Sequence, residues 1–487
     1  VHIHWGKNVS RKSSNCDSTR DLNCLFLKMN WWKVETSGDV SVQGMRSHTS
    51  TLVGNKIFVF GGKNNNGSYN QLYIFDLETM TWRLSRTSGD MPSGRAAGSA
   101  TFVPAKPAGA AGGLTGPIQG KIYFYGGGDD QMPAYDELHI LDIVTLEWTK
   151  VSDMKGELPG KRRAHTCDLI GGKYLYMFGG GDGTVIRNDV HILDTESLVW
   201  TKMKPSGALQ PGARGYHSSC VLEAQKSILI FGGSDGKVLY NDLFLLNTTT
   251  SVWTKIAIEN PTPRLCHSTV LIGQWIFLFG GHNSKQYDND IWALNLGDLE
   301  KIVSQTSNLS DQNTGDSSKK GGSRWLSLSK YVTGLLPEPR GYHTMTLYEN
   351  RIVLIGGYDG RQTLNDVHFL DLGSLAHFNI KVTNPLDLLA GKSLSATTST
   401  GQIPTRSVGG SVSPTPTRAV VSQDIVNAKA PPVGSPPKSG GLSLSVAPAK
   451  TNILTSTSSS ISSAGGLRGP RISVSSNPKG QITAKRN

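Results

Sequence analysis

The feature that most constrains this chain is a pair of glycines that returns six times, at Gly61-Gly62, Gly126-Gly127, Gly179-Gly180, Gly232-Gly233, Gly280-Gly281 and Gly356-Gly357. Each pair keeps the same companions in the same cyclic order. An arginine precedes it (Arg46, Arg95, Arg163, Arg214, Arg264, Arg340), and a small polar or acidic mark follows (Asn70, Asp136, Asn188-Asp189, Asn241-Asp242, Asn289-Asp290, Asn365-Asp366). A tryptophan stands ahead of each arginine: Trp31, Trp82, Trp148, Trp200, Trp253 and Trp325. Successive glycine pairs lie 65, 53, 53, 48 and 76 residues apart. Glycine-pair and tryptophan marks at a period near ~50 residues belong to the blades of a β-propeller.

Four strand types cycle within each repeat. The first follows the arginine and is rich in small residues (HTSTLV, HSSCVL, HSTVLI), as suits a strand crowded against an axis. The second is almost wholly apolar and runs into the glycine pair (KIFVFGG, SILIFGG, WIFLFGG), which implies burial on both faces between neighbouring blades. The glycines are expected where backbones pack closely or φ turns positive. The third strand opens near the Asn-Asp pair. The fourth starts at the tryptophan and carries Lys or Arg (WRLSR, WTKV, WTKM), which on an outer edge discourages pairing with other chains.

The sixth repeat lacks its own tryptophan and has His377 at that place. Trp31 has no repeat before it, so an N-terminal strand is expected to close blade six, with residues 378–382 as the alternative. The expected organisation is therefore a polar remnant over 1–28, a six-bladed all-β propeller over 29–384, and a disordered tail over 385–487. Two insertions, about 104–120 and 300–322, fall in loops that share one face, and both read as flexible excursions. The tail is Ser, Thr, Pro, Gly and Lys without an aromatic residue, a composition that cannot order itself. A chain that begins at Val1 is expected to be a fragment.

Charge supports this division. The net charge of +12 is concentrated in the tail, where eleven Lys/Arg face two acids for +9, leaving +3 for the other 384 residues. A basic nucleic-acid-binding body is therefore not expected, and no run of ~18 apolar residues marks a membrane span. Five cysteines, Cys16, Cys24, Cys167, Cys220 and Cys266, are an odd number. The last three fall in predicted inner strands and read as buried thiols of a cytoplasmic, or cytoplasmic and nuclear, protein.

These glycine pairs, the tryptophan after the third strand and the period resemble the kelch-repeat family over about residues 29–385. The resemblance implies a six-bladed propeller with four-stranded antiparallel blades. The Arg-x-x-His opening, clear at Arg214–His217, Arg264–His267 and Arg340–His343, is similar to that of intracellular kelch proteins without a BTB partner domain. Those include kelch effectors of Rab GTPases, the host-cell-factor type, plant acyl-CoA-binding kelch proteins and fungal cell-polarity kelch proteins. The resemblance implies a protein-binding scaffold whose partner is a small GTPase, cytoskeletal or polarity protein.

Chemistry is sparse. His48, His165, His217, His267 and His343 recur at one position of the repeat and read as structural, as do His139, His191 and His368 at another. The Asp-Gly pairs at Asp182, Asp235 and Asp359 read as hairpin turns rather than calcium ligands. An enzyme or small-molecule binder at the axial pocket is the alternative. The specifier-type spacing of Glu35 and Asp39 ends at Gln43 instead of a histidine, and a galactose-oxidase-like copper site belongs to seven blades. No cofactor or metal is expected. The candidate partner contacts lie on the short-loop face: Arg163, Arg214, Arg264 and Arg340 of the repeated arginines, and the non-repeated Arg187, Tyr216, Lys237, Tyr240, Lys285, Tyr287, Tyr342 and Arg361. A ring of arginines accepts an acidic peptide through bidentate contacts; alternatively each pairs with an aspartate or a carbonyl of the fold.

Overall fold

A computed structural model describes residues 29–38, 41–106, 118–207, 209–297, 299, 303 and 325–373. They form six blade sheets, one per repeat, each built on antiparallel strands, and a small two-stranded sheet, Lys63–Asn64 with Gly67–Ser68, at the turn of blade 1. Blade 4 shows the plan: Ser218–Leu222 innermost, then Ser227–Phe231, Leu243–Asn247 and Val252–Ile256 outermost. There is no single core. Six separate clusters of buried apolar side chains lie one between each pair of adjacent blades. The apolar second strand is buried on both faces for that reason, and Ser227–Phe231 is closed along its whole length.

The ring closes as expected. Met29–Lys33 is the fourth strand of blade 6, with Asn30 opposite Asp371 and Trp31 opposite Leu370. Trp31 then does what four of the other repeated tryptophans do, while Trp82 packs on Tyr73 and Phe75 of its own blade. Trp148, Trp200, Trp253 and Trp325 each lie 4.9–5.5 Å from the aromatic ring that precedes the previous blade's glycine pair. Trp31 meets Phe279 of blade 5 at 5.3 Å in the same way. Residues 378–382, the alternative closing strand, lie outside the described residues.

The glycine pair is the rivet between blades. The N–H of Gly233 donates to the carbonyl of Arg264 in the next blade at 2.9 Å, and the same bond recurs at every junction. At Gly232, φ is +65°, and an added Cβ would stand 2.8 Å from that carbonyl oxygen. Glycine is required here both by backbone conformation and by space.

Two expectations need correction. The outer strands do not rely on charge alone to protect their edges. The loop entering blades 1, 2 and 3 lays a short parallel strand on the outside (Ser37–Gly38, Ser88–Gly89 and Lys155–Gly156), and in blade 6 Val332–Gly334 does the same. The inner hairpin of blade 2, Ala96–Pro104 with Gly120–Gly128, is longer than the others mainly at its axial end, and it leads into the first insertion at the Pro104–Gly120 pair; residues 107–117 lie outside the described residues. Cys266 is not on an inner strand. Cys167 and Cys220 are, while Cys266 sits one step above, on the ring of residues around the axis; all three are free thiols. Most of 300–322, the 1–28 remnant and the tail lie outside the described residues.

Candidate functional site

The Arg-x-x-His signature builds the axial end of the propeller from the short-loop side. The repeated arginine is fully buried: Arg162, Arg214, Arg264 and Arg340 have no exposed surface, and Arg95 has 2 %. Arg214 reaches both oxygens of Asp242, at 2.6 and 3.2 Å, and donates to the carbonyl of Gly232 at 2.9 Å. Arg264 with Asp290 and Gly280, and Arg340 with Asp366 and Gly356, repeat the arrangement. Arg95 uses Glu137 as its acid. Burial alone would raise the carboxyls of Asp189 and Asp366. Hydrogen bonds from His191 and His368 and the arginine contacts outweigh it, so both stay well below the usual range. These are structural clamps inside one blade.

The register corrects the sequence reading in two blades. The clamp of blade 3 is Arg162, bound to Asp189 at 2.9 Å, and Arg163 is the residue after it. In blade 1 the slot is held by buried Met45, and Arg46 is again one step on. Counting back three from each histidine, instead of picking the nearest arginine, finds both.

The second residue after the clamp carries a positive φ in all six blades: Ser47, Ala97, Ala164, Tyr216, Cys266 and Tyr342, between 55° and 60°. Their backbones form a closed hydrogen-bonded ring around the axis. Each N–H donates to the carbonyl of the equivalent residue in the preceding blade, over 2.7–3.0 Å. The histidines lie just beneath. His48, His165, His217 and His267 place Nε2 within 2.8–3.1 Å of a hydroxyl on the preceding blade's inner strand. Burial pulls His48 down to about 4 and His165 and His267 to about 3, with His217 and His343 well below 6.5; nearby arginine charges add to the effect in all but His48. They are neutral at physiological pH. Blade 2 has Gly98 at this position.

The six ring residues and the histidines line a hollow of about 140 Å³ on the axis, and its short-loop end is the mouth. One half is floored by Ser47, Ala97 and Ala164. The other is walled by aromatic side chains. Tyr216 meets Tyr342 edge-on at 5.5 Å, and Tyr342 lies 5.9 Å from His282. His282 packs on Tyr287, and Tyr287 on Tyr358. Burial raises the phenols of Tyr216 and Tyr287, the latter to about 12. Arg46 stacks on Tyr358 with its guanidinium 4.4 Å from the ring centre.

The candidate contacts therefore divide. Tyr216 and Tyr342 meet each other and line the hollow, Tyr287 packs beside it between His282 and Tyr358, and Arg163 is half-buried one step after the clamp of blade 3. Arg361 and Lys285 are exposed at the turn tips of blades 6 and 5, and Lys237 at that of blade 4. Arg187 is engaged with Asp182, and Tyr240 bonds to Asp235 while packing under Arg214. Arg214, Arg264 and Arg340 are sealed inside their clamps, so no partner can touch them. Sequence reasoning passed over Arg46 and Tyr358, which only the register and the ring geometry bring to the mouth. A larger hollow, about 470 Å³, lies on the opposite face beside the stem of the first insertion, between Lys121, Tyr123, Asp142 and Glu196. Among the described residues no group of three or more His, Cys, Asp or Glu side chains could hold a metal ion, and no helix is long and apolar enough to cross a membrane.

Six blades riveted by glycine pairs and closed by an N-terminal strand define a kelch-type propeller. The chain belongs to the kelch-repeat family: the KLHDC2/KLHL20/DRC7 Kelch-repeats domain model matches residues 6–180, 104–257 and 172–317, and the Kelch motif matches 339–374. It is similar to acyl-CoA-binding domain-containing protein 4 of Arabidopsis thaliana, 28% identical over 58% of this chain and 41% of that protein. Kelch domain-containing protein 3 of Homo sapiens is 28% identical over 48% of this chain and 60% of its own length. Host cell factor homolog hcf-1 of Caenorhabditis elegans is 25% identical over 72% and 44%. The chain thus spans roughly two-fifths to three-fifths of these relatives.

Proposed function

We propose that this propeller is a protein-interaction scaffold of the cytoplasm or nucleus that takes its partner on the short-loop face. The observation that carries the reading is the uneven finish of that face. Three consecutive blades end their second-to-third-strand turns in exposed apolar residues: Met132 is 37 % exposed, Val185 51 % and Val238 51 %. The equivalent tips of blades 5 and 6 carry Gln286 and Gln362. Apolar tips grouped beside a mouth of tyrosine and arginine have the composition of interface anchors. The repeated histidines and arginines are occupied in holding the ring, which weighs against an enzyme at the axis. A small GTPase, a cytoskeletal protein or a polarity protein are the classes of partner proposed.

The test is a photo-crosslinking amino acid placed at Val238 on the short-loop face, and separately at Val144 on the opposite face. A defined partner crosslinked from Val238 and not from Val144 supports the reading. Crosslinking from Val144 alone moves the site to the insertion face and overturns it.

A further inference from the structure

On the face opposite the mouth, the repeat breaks at the junction of blades 2 and 3. Two residues beyond the Asp or Asn that ends each third strand stand Glu78, Glu196, Thr249, Gly297 and Gly373 in blades 1, 3, 4, 5 and 6. Blade 2 has Val144 there, 59 % exposed. A repeated ion pair is open at the same junction. In blade 1, Lys56 and Asp76 face each other in the ladder and join at 3.0 Å. Lys121 and Asp142 hold the same two places in blade 2. Yet among the described residues the Lys121 ammonium makes no ion pair and no hydrogen bond. Asp142 is served by its own turn, accepting the N–H groups of Val144 and Thr145 at 2.9 and 3.1 Å. The unmatched group is the cation.

Lys121 and Val144 both line the hollow of about 470 Å³, a size within the roughly 300–1,000 Å³ of small-molecule pockets. One wall is the blade 2 hairpin, where Val103 faces Lys121 and the Ala105 N–H donates to the Gln119 carbonyl at 3.0 Å. That hairpin is braced from both neighbours. Ile118 packs over Gly54 of blade 1, and Lys106 pairs with Glu196 of blade 3. Val103, Pro104, Ala105, Tyr123 and Val144 make the lining largely apolar. The Tyr123 hydroxyl already donates to the Thr195 carbonyl. Glu196 also holds Lys173 at 3.0 Å, so Lys106 can turn away without leaving that carboxylate bare. One ammonium at the rim is therefore free, and a second is readily released.

We propose that this hollow is a small-molecule site for an apolar carboxylate, separate from the short-loop face and independent of the scaffold reading. The apolar body of the ligand lies against Val103, Tyr123 and Val144, and its carboxylate meets Lys121, with Lys106 turning from Glu196 to join it. The hollow equals roughly fifteen water volumes, which suits a ligand of about ten to fifteen heavy atoms. Charge-assisted hydrogen bonds from two ammonium groups are the strong contacts here. A neutral ligand of the same shape would strip water from Lys121 and return no partner, and burying an unpaired charge is costly. A cationic ligand would sit beside two like charges. The acid is thus selected over its amide and its amine.

The experiment is isothermal titration calorimetry of the full chain with naphthoate, and with naphthamide as its neutral counterpart. Expected are saturable one-to-one binding of naphthoate, at least tenfold weaker binding of naphthamide, and at least tenfold weaker binding of naphthoate to Lys121→Met at an unchanged melting temperature. Lys56→Met, at the equivalent place in blade 1, should leave binding unchanged. Bound naphthoate should also slow acetylation of Lys121 by acetic anhydride, read by mass spectrometry, and not that of Lys237 on the short-loop face. Absence of saturable binding overturns the proposal, and so does equal binding of acid and amide. Full retention by Lys121→Met would place the anion on the basic tail or the short-loop face and overturns it as well. Crosslinking of a partner from Val238 stands or falls separately, because these variants leave the short-loop face untouched.

Discussion

Lowering the pH from 7 to 5 should remove most of the stability of the propeller, and the reason is the buried histidine ring. In an unfolded chain a histidine titrates near ~6.5. In the folded ring His48 is held at about 4 and His165 and His267 at about 3, chiefly by burial, and His217 and His343 lie well below 6.5. Their pKa values are lower folded than unfolded, so the unfolded chain takes up protons that the ring refuses. Stability is complete above pH ~6.5 and falls as the pH drops below it. From pH 7 to 5 each histidine that stays neutral costs about 1.8 kcal/mol, and five cost about 9 kcal/mol. Asp168 opposes this. Burial pushes it up to about 6, so the folded state gains a proton on the way down, worth about 1.3 kcal/mol. The clamped carboxylates Asp189 and Asp366 begin to subtract only below pH ~4, where unfolded aspartates protonate. The net loss of about 8 kcal/mol is comparable to the 5–15 kcal/mol that holds a typical domain. Urea midpoints followed by tryptophan fluorescence at half-unit steps from pH 8 to 5 check this. The midpoint should hold to about pH 6.5 and then fall steeply. His217→Gln should reduce the proton uptake on unfolding near pH 5.5 by about one. A flat midpoint down to pH 5, or an unchanged uptake in His217→Gln, would refute the buried neutral ring.

The two neighbouring arginines of blade 3 should separate by role. Arg162→Ala leaves half-buried Asp189 without its cation and the carbonyls of Pro159 and Gly179 without their donor, and should cost about 3 kcal/mol, while Arg163→Ala should leave the melting temperature within a degree; differential scanning calorimetry tells them apart. Gly232→Ala should destabilise by at least about 2 kcal/mol, because φ there is +65° and the new Cβ meets the Arg264 carbonyl at 2.8 Å. A urea midpoint equal to wild type would show that this junction has slack. Trp31→Ala, which removes the ring packed on Phe279 at 5.3 Å, should cost about 3–5 kcal/mol, and amide exchange should show the loss first in blade 6. Equal protection of blade 6 in both proteins would mean that another segment closes the ring.

The fold was legible because each repeated residue answers to a local necessity. A glycine pair is needed wherever one blade's N–H must reach the next blade's carbonyl, and no other residue accepts the conformation at Gly232 and the approach together. A tryptophan is needed wherever an outer strand must fill the gap beside the previous blade's aromatic, which is how Trp31 could be assigned to blade 6 from 300 residues away. The site was less legible. Arg163 looked like the repeated arginine because it stands nearest the next strand, yet Arg162 has the three-residue spacing to His165 that lets a guanidinium reach Asp189. Arg214 looked like a binding residue because sequence cannot tell a buried cation from an exposed one; only the geometry shows Asp242 and the Gly232 carbonyl using its donors. The parallel edge strands were invisible because a two- or three-residue segment ending in glycine, read alone, resembles any turn.

The same distinction tells where function sits on a repeated frame. Residues present in all or nearly all blades are consumed by closure: the glycine pairs join blades, the clamps brace five of the six blades, and the histidines seal the axis. A partner that is not itself six-fold symmetric needs contacts that are not repeated, so recognition must fall to the positions where the repeat departs from itself. On the short-loop face those departures converge. Arg46 and Arg163 replace small or apolar residues in two blades. Ser47, Ala97 and Ala164 open one side of a ring that Tyr216 and Tyr342 narrow on the other. Met132, Val185 and Val238 make three of the six turn tips apolar. Random drift in surface loops would scatter such exceptions around the ring, whereas here the two cations, the small ring residues and the apolar tips all fall in blades 1 to 4. A substitution that restores the repeat at one of them, such as Arg163→Gly after the pattern of Gly215 and Gly341, therefore leaves the frame intact and removes a contact that only a partner would use.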